Sequence, residues 1–275
     1  MSHNGGARLT SERAFETNAK NAMLVEASVR INRRDFDAVI FDLDGVLTDT
    51  AGVHAAAWKT VFDAFLQRWA EQQGRAFQPF DIHSDYLAYV DGRPRYDGVR
   101  SFLAARGIQL PEGSEHDGEE VETVRALGDR KSQLFRQELK KGISAASGAE
   151  VLLKKLQQVG IAIAVASSSE NCAAILRAAG LDRLIDARID GLDAEELGLP
   201  GKPDPALFLE AARRLGIQPP RAALFEDALA GVEAGRRGGF GRVIGVDRGH
   251  QADALREHGA DNIVQSLLQV EVVDT

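Results

Sequence analysis

Asp42 and Asp44 stand two residues apart in FDLDGVLTDT, directly after the apolar run Ala38-Val39-Ile40-Phe41. Two more acids, Glu226 and Asp227, follow the run from Ala222 to Phe225, and a Ser-Ser-Ser stretch opening with Ser167 follows Ile161 to Ala166. Lys202, in GKPDP, lies between the second and third of these runs. Taken singly each is unremarkable, because Asp and Ser are common wherever strands turn into loops. Taken together they share a logic, since in an open parallel sheet the carboxyl ends of strands lie along one edge. Carboxylates gathered there without a counter-ion would repel one another and raise their own pKa values. Asp42, Asp44 and Asp227, with Glu226 beside them, therefore imply a bound cation. Oxygen donors and a phosphate partner favour Mg²⁺.

The chemistry this predicts is phosphoryl transfer. A cation that screens the repulsion between a carboxylate and a phosphate lets one attack the other in line. Asp42 is the expected nucleophile, and attack there gives an aspartyl phosphate, which splits one transfer into two easier ones. Asp44, two residues on in an extended chain, turns the same way and is the expected general acid and base. Ser167 and Ser168, with the amides ahead of the next helix, would hold phosphate oxygens, a role compatible with simple helix capping. Lys202 would supply fixed positive charge to the transferring group.

These side chains need a frame. Strands at Ala38 to Phe41, Ile161 to Ala166, Ala222 to Phe225 and Arg242 to Val246 alternate with helical stretches such as Pro205 to Leu215, which predicts a parallel sheet with helices on both faces. From His54 to about Lys141 the pattern is helical, with Trp58, Phe62, Phe65 and Trp69 recurring at helical spacing. The expected architecture is α/β: a doubly wound, Rossmann-like core formed by residues 35–53 and 142–275, with a helical cap at 54–141 inserted after the first strand. Residues 1–34 are polar, with a weak helical pattern near Ala22 to Val29, and are expected to form a flexible extension.

The bulk properties narrow the partners. The chain has 275 residues, a hydrophobic fraction of 44% and a formal net charge of -8. That charge disfavours nucleic acid and anionic lipid as partners. No apolar run approaches the roughly 20 residues needed to cross a bilayer, and the N-terminus lacks the apolar core of a signal peptide, so a cytoplasmic protein without a membrane is expected, with a monomer favoured over an oligomer. Cys172, the single cysteine, offers neither a disulfide nor a thiolate metal site. Glycine-rich GGFGRVIGV precedes a strand, the wrong order for a dinucleotide-binding turn. The acidic stretch Asp190 to Glu196 is loop-like and lacks the calcium pattern.

FDLDGVLTDT, VASSS, GKPDP and FEDALAG, in that order, resemble the four motifs of the haloacid dehalogenase superfamily of phosphotransferases, over about Asp37 to Val264. Dehalogenases of that superfamily lack the second aspartate, so Asp44 points to phosphoryl chemistry. A narrower resemblance, to the β-phosphoglucomutase group, rests on TDTAGVHAAAW, DGRPRYDGV and GDRKSQ. It implies that Arg95 clamps a distal phosphate, that Lys131 faces the site from the cap, that His54 lies near Asp44, and that Asn171 meets the sugar. It further implies interconversion of β-D-glucose 1-phosphate and glucose 6-phosphate, primed by glucose 1,6-bisphosphate. Glu170 departs from the pattern, standing where a lysine is expected, and the cap is longer than the group's, around Arg68 to Asp85 and Pro111 to Glu119. Without the resemblance, Arg95 is one arginine in a polar loop, Lys131 lies on a charged helix and His54 caps a helix. Two other functions share the core residues: a Mg²⁺-dependent phosphatase of a small phosphorylated metabolite, and a non-catalytic phosphosugar sensor, against which the intact Asp42 and Asp44 pair argues.

Overall fold

The computed structural model describes residues 29–114, 116–117, 121–249 and 251–274. Its strands are β1 Val29–Asn32, β2 Ala38–Phe41, β3 Ala162–Ala166, β4 Ala187–Ile189, β5 Ala222–Glu226, β6 Arg242–Val246, β7 Asn262–Val264 and β8 Val270–Val273. Its α-helices are α1 Ala51–Gln73, α2 Arg95–Ala105, α3 Val124–Leu139, α4 Ala149–Gln158, α5 Cys172–Ala178, α6 Gly191–Glu196, α7 Ala206–Leu215, α8 Leu229–Arg237 and α9 Ala252–Glu257.

β2 is buried at all four positions, as an apolar run flanked on both faces must be. It pairs in parallel with β3 on one side and β5 on the other, and the sheet runs β4-β3-β2-β5-β6-β7. The side chains of β2 divide with the period of two expected for a strand. Val39 and Phe41 join the apolar cluster that holds Leu152, Leu153 and Leu156 of α4. Ala38 and Ile40 join the one that holds Phe208, Ala211 and Ala212 of α7. Helices therefore cover both faces, as the alternation of strand and helix predicts.

The register places the site. Phe41 lies opposite Val165 on one side and Phe225 on the other, and the Phe41 and Phe225 rings stack with centroids 5.0 Å apart. The residues that follow these three positions emerge side by side at the carboxyl edge, where the strand order reverses about β2 and a crevice opens.

Between β2 and β3 the described chain is helical, with α1, α2 and α3 around an apolar cluster of their own. Phe62 is its hub, with ring centroids 5.0 Å from Trp58 and Phe80 and 4.3 Å from Phe102. α1 ends where Gly74 takes the left-handed conformation, φ 59°, that glycine adopts without steric cost.

Two expectations are corrected. Residues 29–34 are part of the fold and not of a flexible extension: Val29 and Ile31 are buried, and β1 pairs in parallel with β8, Val29 opposite Val270. The rest of that extension, with its weak helical pattern, lies outside the described residues. The stretch at Asp190 to Glu196 is not a loop, because the Asp190 carboxylate accepts the N–H groups of Leu192 and Asp193 while Asp193 accepts that of Asp190, a reciprocal cap that starts α6. Among the described residues no helix is long and apolar enough to cross a membrane.

Candidate active site

Asp42 follows β2 directly and extends its ladder by one bond, its N–H donating to the Phe225 carbonyl at 2.9 Å. Lys202 reaches it from the loop before α7, donating at 2.6 Å to Asp42 Oδ1 and at 2.6 Å to Glu226 Oε1. The lysine and glutamate side chains are fully shielded from solvent. Glu226, the last residue of β5, also accepts the Ala228 N–H through Oε2 at 2.5 Å. Its seat requires Gly231, because a Cβ there would lie 1.8 Å from Oε1. Burial, with Glu226 and Asp44 close by, pushes the Asp42 carboxyl up to about 7 against the pull of Lys202. Burial acts to discharge Lys202 as well, but its two carboxylates outweigh that and hold it above the ordinary lysine range.

Asp42, Glu226 and Asp227 each offer an oxygen within 4.8 Å of the others. Three buried carboxylates against one ammonium, Lys202, and one guanidinium, that of Arg248 beside Asp227, leave negative charge to be met. An oxygen-only donor set of this kind fits a hard divalent cation. The Asp44 side chain, expected in the same set, turns elsewhere. Its Oδ1 accepts from the Thr50 hydroxyl at 2.6 Å and meets His54 Nε2 at 3.1 Å, and its Oδ2 meets the Ser167 hydroxyl at 3.3 Å. The main-chain carbonyl of Asp44 instead faces Arg248, whose Nη2 lies 3.4 Å away and whose guanidinium also pairs with Asp227. Gly45, at φ 87°, leaves room for that guanidinium; a Cβ there would fall 1.5 Å from Arg248 Nη2.

A chain of polar contacts runs from Asp44 into the helical insertion. His54 sits in the first turn of α1, just after Thr50, which occupies the cap position but gives its hydroxyl to Asp44. His54 Nδ1 lies 2.5 Å from Lys131 Nζ on α3. A neutral ring that accepts at Nδ1 and donates from Nε2 satisfies both contacts. Burial, and then the Lys131 charge, lower the His54 pKa in keeping with that form. Burial likewise brings Lys131 down to about 7, opposed by Asp44. Asp44 responds the other way: burial would raise it, but His54, Thr50 and Lys131 hold its carboxyl well below the usual range.

The far end of the site is built around Arg95. It is the first residue of α2 and not part of a polar loop. Its guanidinium meets Glu170 through both ends, Nη1 to Oε2 at 3.0 Å and Nη2 to Oε1 at 2.8 Å. It also donates to Tyr96 Oη at 2.7 Å, contacts Asp129 at 3.2 Å and bonds the Ser132 hydroxyl. Ser168 donates to the Gly92 carbonyl at 3.0 Å. A cavity of about 480 Å³ connects the two ends, and Asp42, Asp44, His54, Arg95, Lys131, Ser167, Ser168, Asn171 and Asp227 all line it. Lys202 stands behind that wall in contact with Asp42, and Glu226 in contact with Lys202.

Sequence reasoning missed Asp91, Tyr86 and Arg248. Asp91 lines the cavity, and burial together with the Glu226 charge raises it to about 6 while Tyr86 hydrogen-bonds it. Arg248 follows β6 by two residues, so a search of every strand end, and not three of them, would have found it.

The sequence pattern of haloacid dehalogenase-like hydrolases matches residues 36–239. The chain belongs to that family. This haloacid dehalogenase-like enzyme is 47% identical over 237 residues to a β-phosphoglucomutase of Mycobacterium bovis, covering 85% of this chain and 90% of the relative. It is 26% identical over 230 residues to a phosphorylated carbohydrates phosphatase of Thermotoga maritima, 83% of this chain and 94% of that one. A solved β-phosphoglucomutase from Clostridium difficile superposes with a TM-score of 0.66 at 25% identity, covering 86% of this chain and 93% of its own.

Proposed function

We propose that this enzyme is a Mg²⁺-dependent sugar-phosphate mutase that interconverts β-D-glucose 1-phosphate and glucose 6-phosphate, by way of an aspartyl phosphate on Asp42 and glucose 1,6-bisphosphate as the priming intermediate. The observation that carries this is the single cavity with a cationic group at each end, Lys202 behind Asp42 and Arg95 on the insertion, and the Asp44–His54–Lys131 chain between them. A mutase needs two places for phosphate, because its bisphosphate intermediate must present first one end and then the other.

In the forward direction the phosphoryl group on Asp42 passes to the sugar 6-hydroxyl while Asp44 takes the hydroxyl proton. Asp44 is suited to accept first, being held ionised in the resting site. The bisphosphate then turns round. The free Asp42 carboxylate attacks the phosphorus at C1, the bond from that phosphorus to the sugar oxygen breaks, and Asp44 returns its proton to the departing oxygen. Lys202 holds Asp42 Oδ1, leaving Oδ2 to attack, and Glu226 fixes Lys202 in turn. Asp42 and Asp227, with Glu226 completing the acidic set, would hold the Mg²⁺, which when bound screens the charge between carboxylate and phosphate. Ser167 and Ser168 would receive phosphate oxygens at the core end, and Asn171 would meet the sugar. The helical insertion, acting as a cap, keeps water from the aspartyl phosphate.

A second reading, phosphatase of a small phosphorylated metabolite, is favoured by one observation: Arg95 is already engaged by Glu170. The two are separated by a coupled assay of β-D-glucose 1-phosphate with Mg²⁺ and catalytic glucose 1,6-bisphosphate, with free phosphate followed in parallel. Glucose 6-phosphate formed with little phosphate release supports the mutase, and phosphate released without isomerisation replaces it with the phosphatase.

A further inference from the structure

Glu170 belongs to the loop between β3 and α5, and Arg95 to the first turn of α2, so their contact ties the sheet to the helical insertion. The geometry is two-pronged, with contacts at 3.0 and 2.8 Å, the arrangement in which a guanidinium binds a carboxylate or a phosphate best. Both side chains are largely shielded, at 16% and 29% exposure, so their attraction is screened less than that of a surface pair. Asp129 adds a second carboxylate at 3.2 Å. An anion approaching Arg95 therefore meets a guanidinium whose charge is already answered, and whose Nε is a buried donor without a partner among the described residues. Nη1 and Nη2 are both held by Glu170, with Ser132 beside the first and Tyr96 and Asp129 beside the second.

We propose that Glu170 is a specificity-determining residue that occupies the anion site of Arg95 in the free enzyme and competes there with the phosphate of a ligand. The inference rests on the mutase reading for its purpose, though not for its test. A bisphosphate intermediate that has to turn round must let go of the distal cation in every cycle. A carboxylate standing ready to take its place makes that release easier and keeps the distal end from trapping doubly phosphorylated sugar. Exchange of phosphate for Glu170 also removes one of the ties across the seam, where Ser168 and Gly92 form another, so ligand binding and the fit of the insertion on the sheet are coupled.

The test is a cycle of Glu170→Gln, Arg95→Ala and the double variant, with inorganic phosphate as the probe and its affinity measured by calorimetry at fixed Mg²⁺. Glutamine keeps the shape of Glu170 and removes its charge. Glu170→Gln should bind phosphate about tenfold more tightly, and the gain should vanish when Arg95 is absent. Arg95→Met replaces Arg95→Ala should the latter fail to fold. In the ligand-free Glu170→Gln protein the amides of 95–99 should also exchange hydrogen faster than in the parent, and phosphate should slow them again. Unchanged or weaker phosphate binding in Glu170→Gln, or an equal gain without Arg95, overturns the proposal. Inorganic phosphate reports on Arg95 whichever sugar is the substrate, so failure to isomerise β-D-glucose 1-phosphate would refute the mutase and leave this cycle decisive.

Discussion

Replacing Lys202 by methionine removes the only ammonium among the described residues that touches Asp42 and Glu226, while nearly preserving volume. Lys202 and Glu226 are 0% exposed and Asp42 is 8% exposed, with both contacts at 2.6 Å, so water cannot take over the lost pairing. Breaking a buried pair by removing one partner costs about 3–5 kcal/mol. With a urea slope of about 2 kcal/mol per molar, the unfolding midpoint should fall by roughly 1.5–2.5 M. The deficit should also depend on pH. Asp42 is already raised to about 7 with Lys202 in place, and losing the ammonium raises it further. The native variant then binds a proton that the unfolded chain has released, and stability falls as pH rises. Above about pH 7 the deficit should widen by up to about 1.4 kcal/mol per pH unit. Urea unfolding of both proteins in chelator, followed by circular dichroism at about pH 5.5 and about pH 8, makes the comparison. Equal midpoints at the higher pH, or the same deficit at both, would refute the reasoning.

Other perturbations have equally definite outcomes. Asp44→Asn should retain ligand binding but lower kcat by ~100-fold or more, because in the proposed mechanism its carboxylate moves the proton in both half-reactions; single-turnover kinetics beside a binding isotherm would show the split. Lys131, brought down to about 7 by burial, is charged below that pH and neutral above it. kcat/KM should therefore decline on the alkaline side of about 7, and Lys131→Met should lose that limb of the pH profile. Gly231→Ala should destabilise the protein by about 1–3 kcal/mol, since the added Cβ would lie 1.8 Å from Glu226 Oε1 and displace the partner of Lys202; thermal melting tests this.

The centre of the sheet was legible because β2, β3, β5 and β6 each contain an apolar run of four or five residues that ends at polar side chains. β4 and β7 have three residues each, too short to show a period. β1 was hidden for another reason: VRIN offers one alternation, and its partner β8 lies at the opposite end of the chain. Asp42, Ser167, Glu226 and Asp227 could be anticipated together because strand ends converge in any parallel sheet. The Asp44–His54–Lys131 chain could not, since it joins a strand end to two helices of the insertion, and only resemblance suggested it. Glu170 was visible as a reversed charge, but its grip on Arg95, 75 residues away, is a property of the packed seam alone.

The most direct test of the central claim is to find the phosphoryl group on the protein. Incubation with Mg²⁺ and glucose 1,6-bisphosphate, rapid acid quenching and peptide mass spectrometry should place one added phosphoryl group on the peptide containing Asp42, and none on the Asp42→Asn protein. Turnover with the label on another residue, or with no label on the protein at any quench time, would contradict the account.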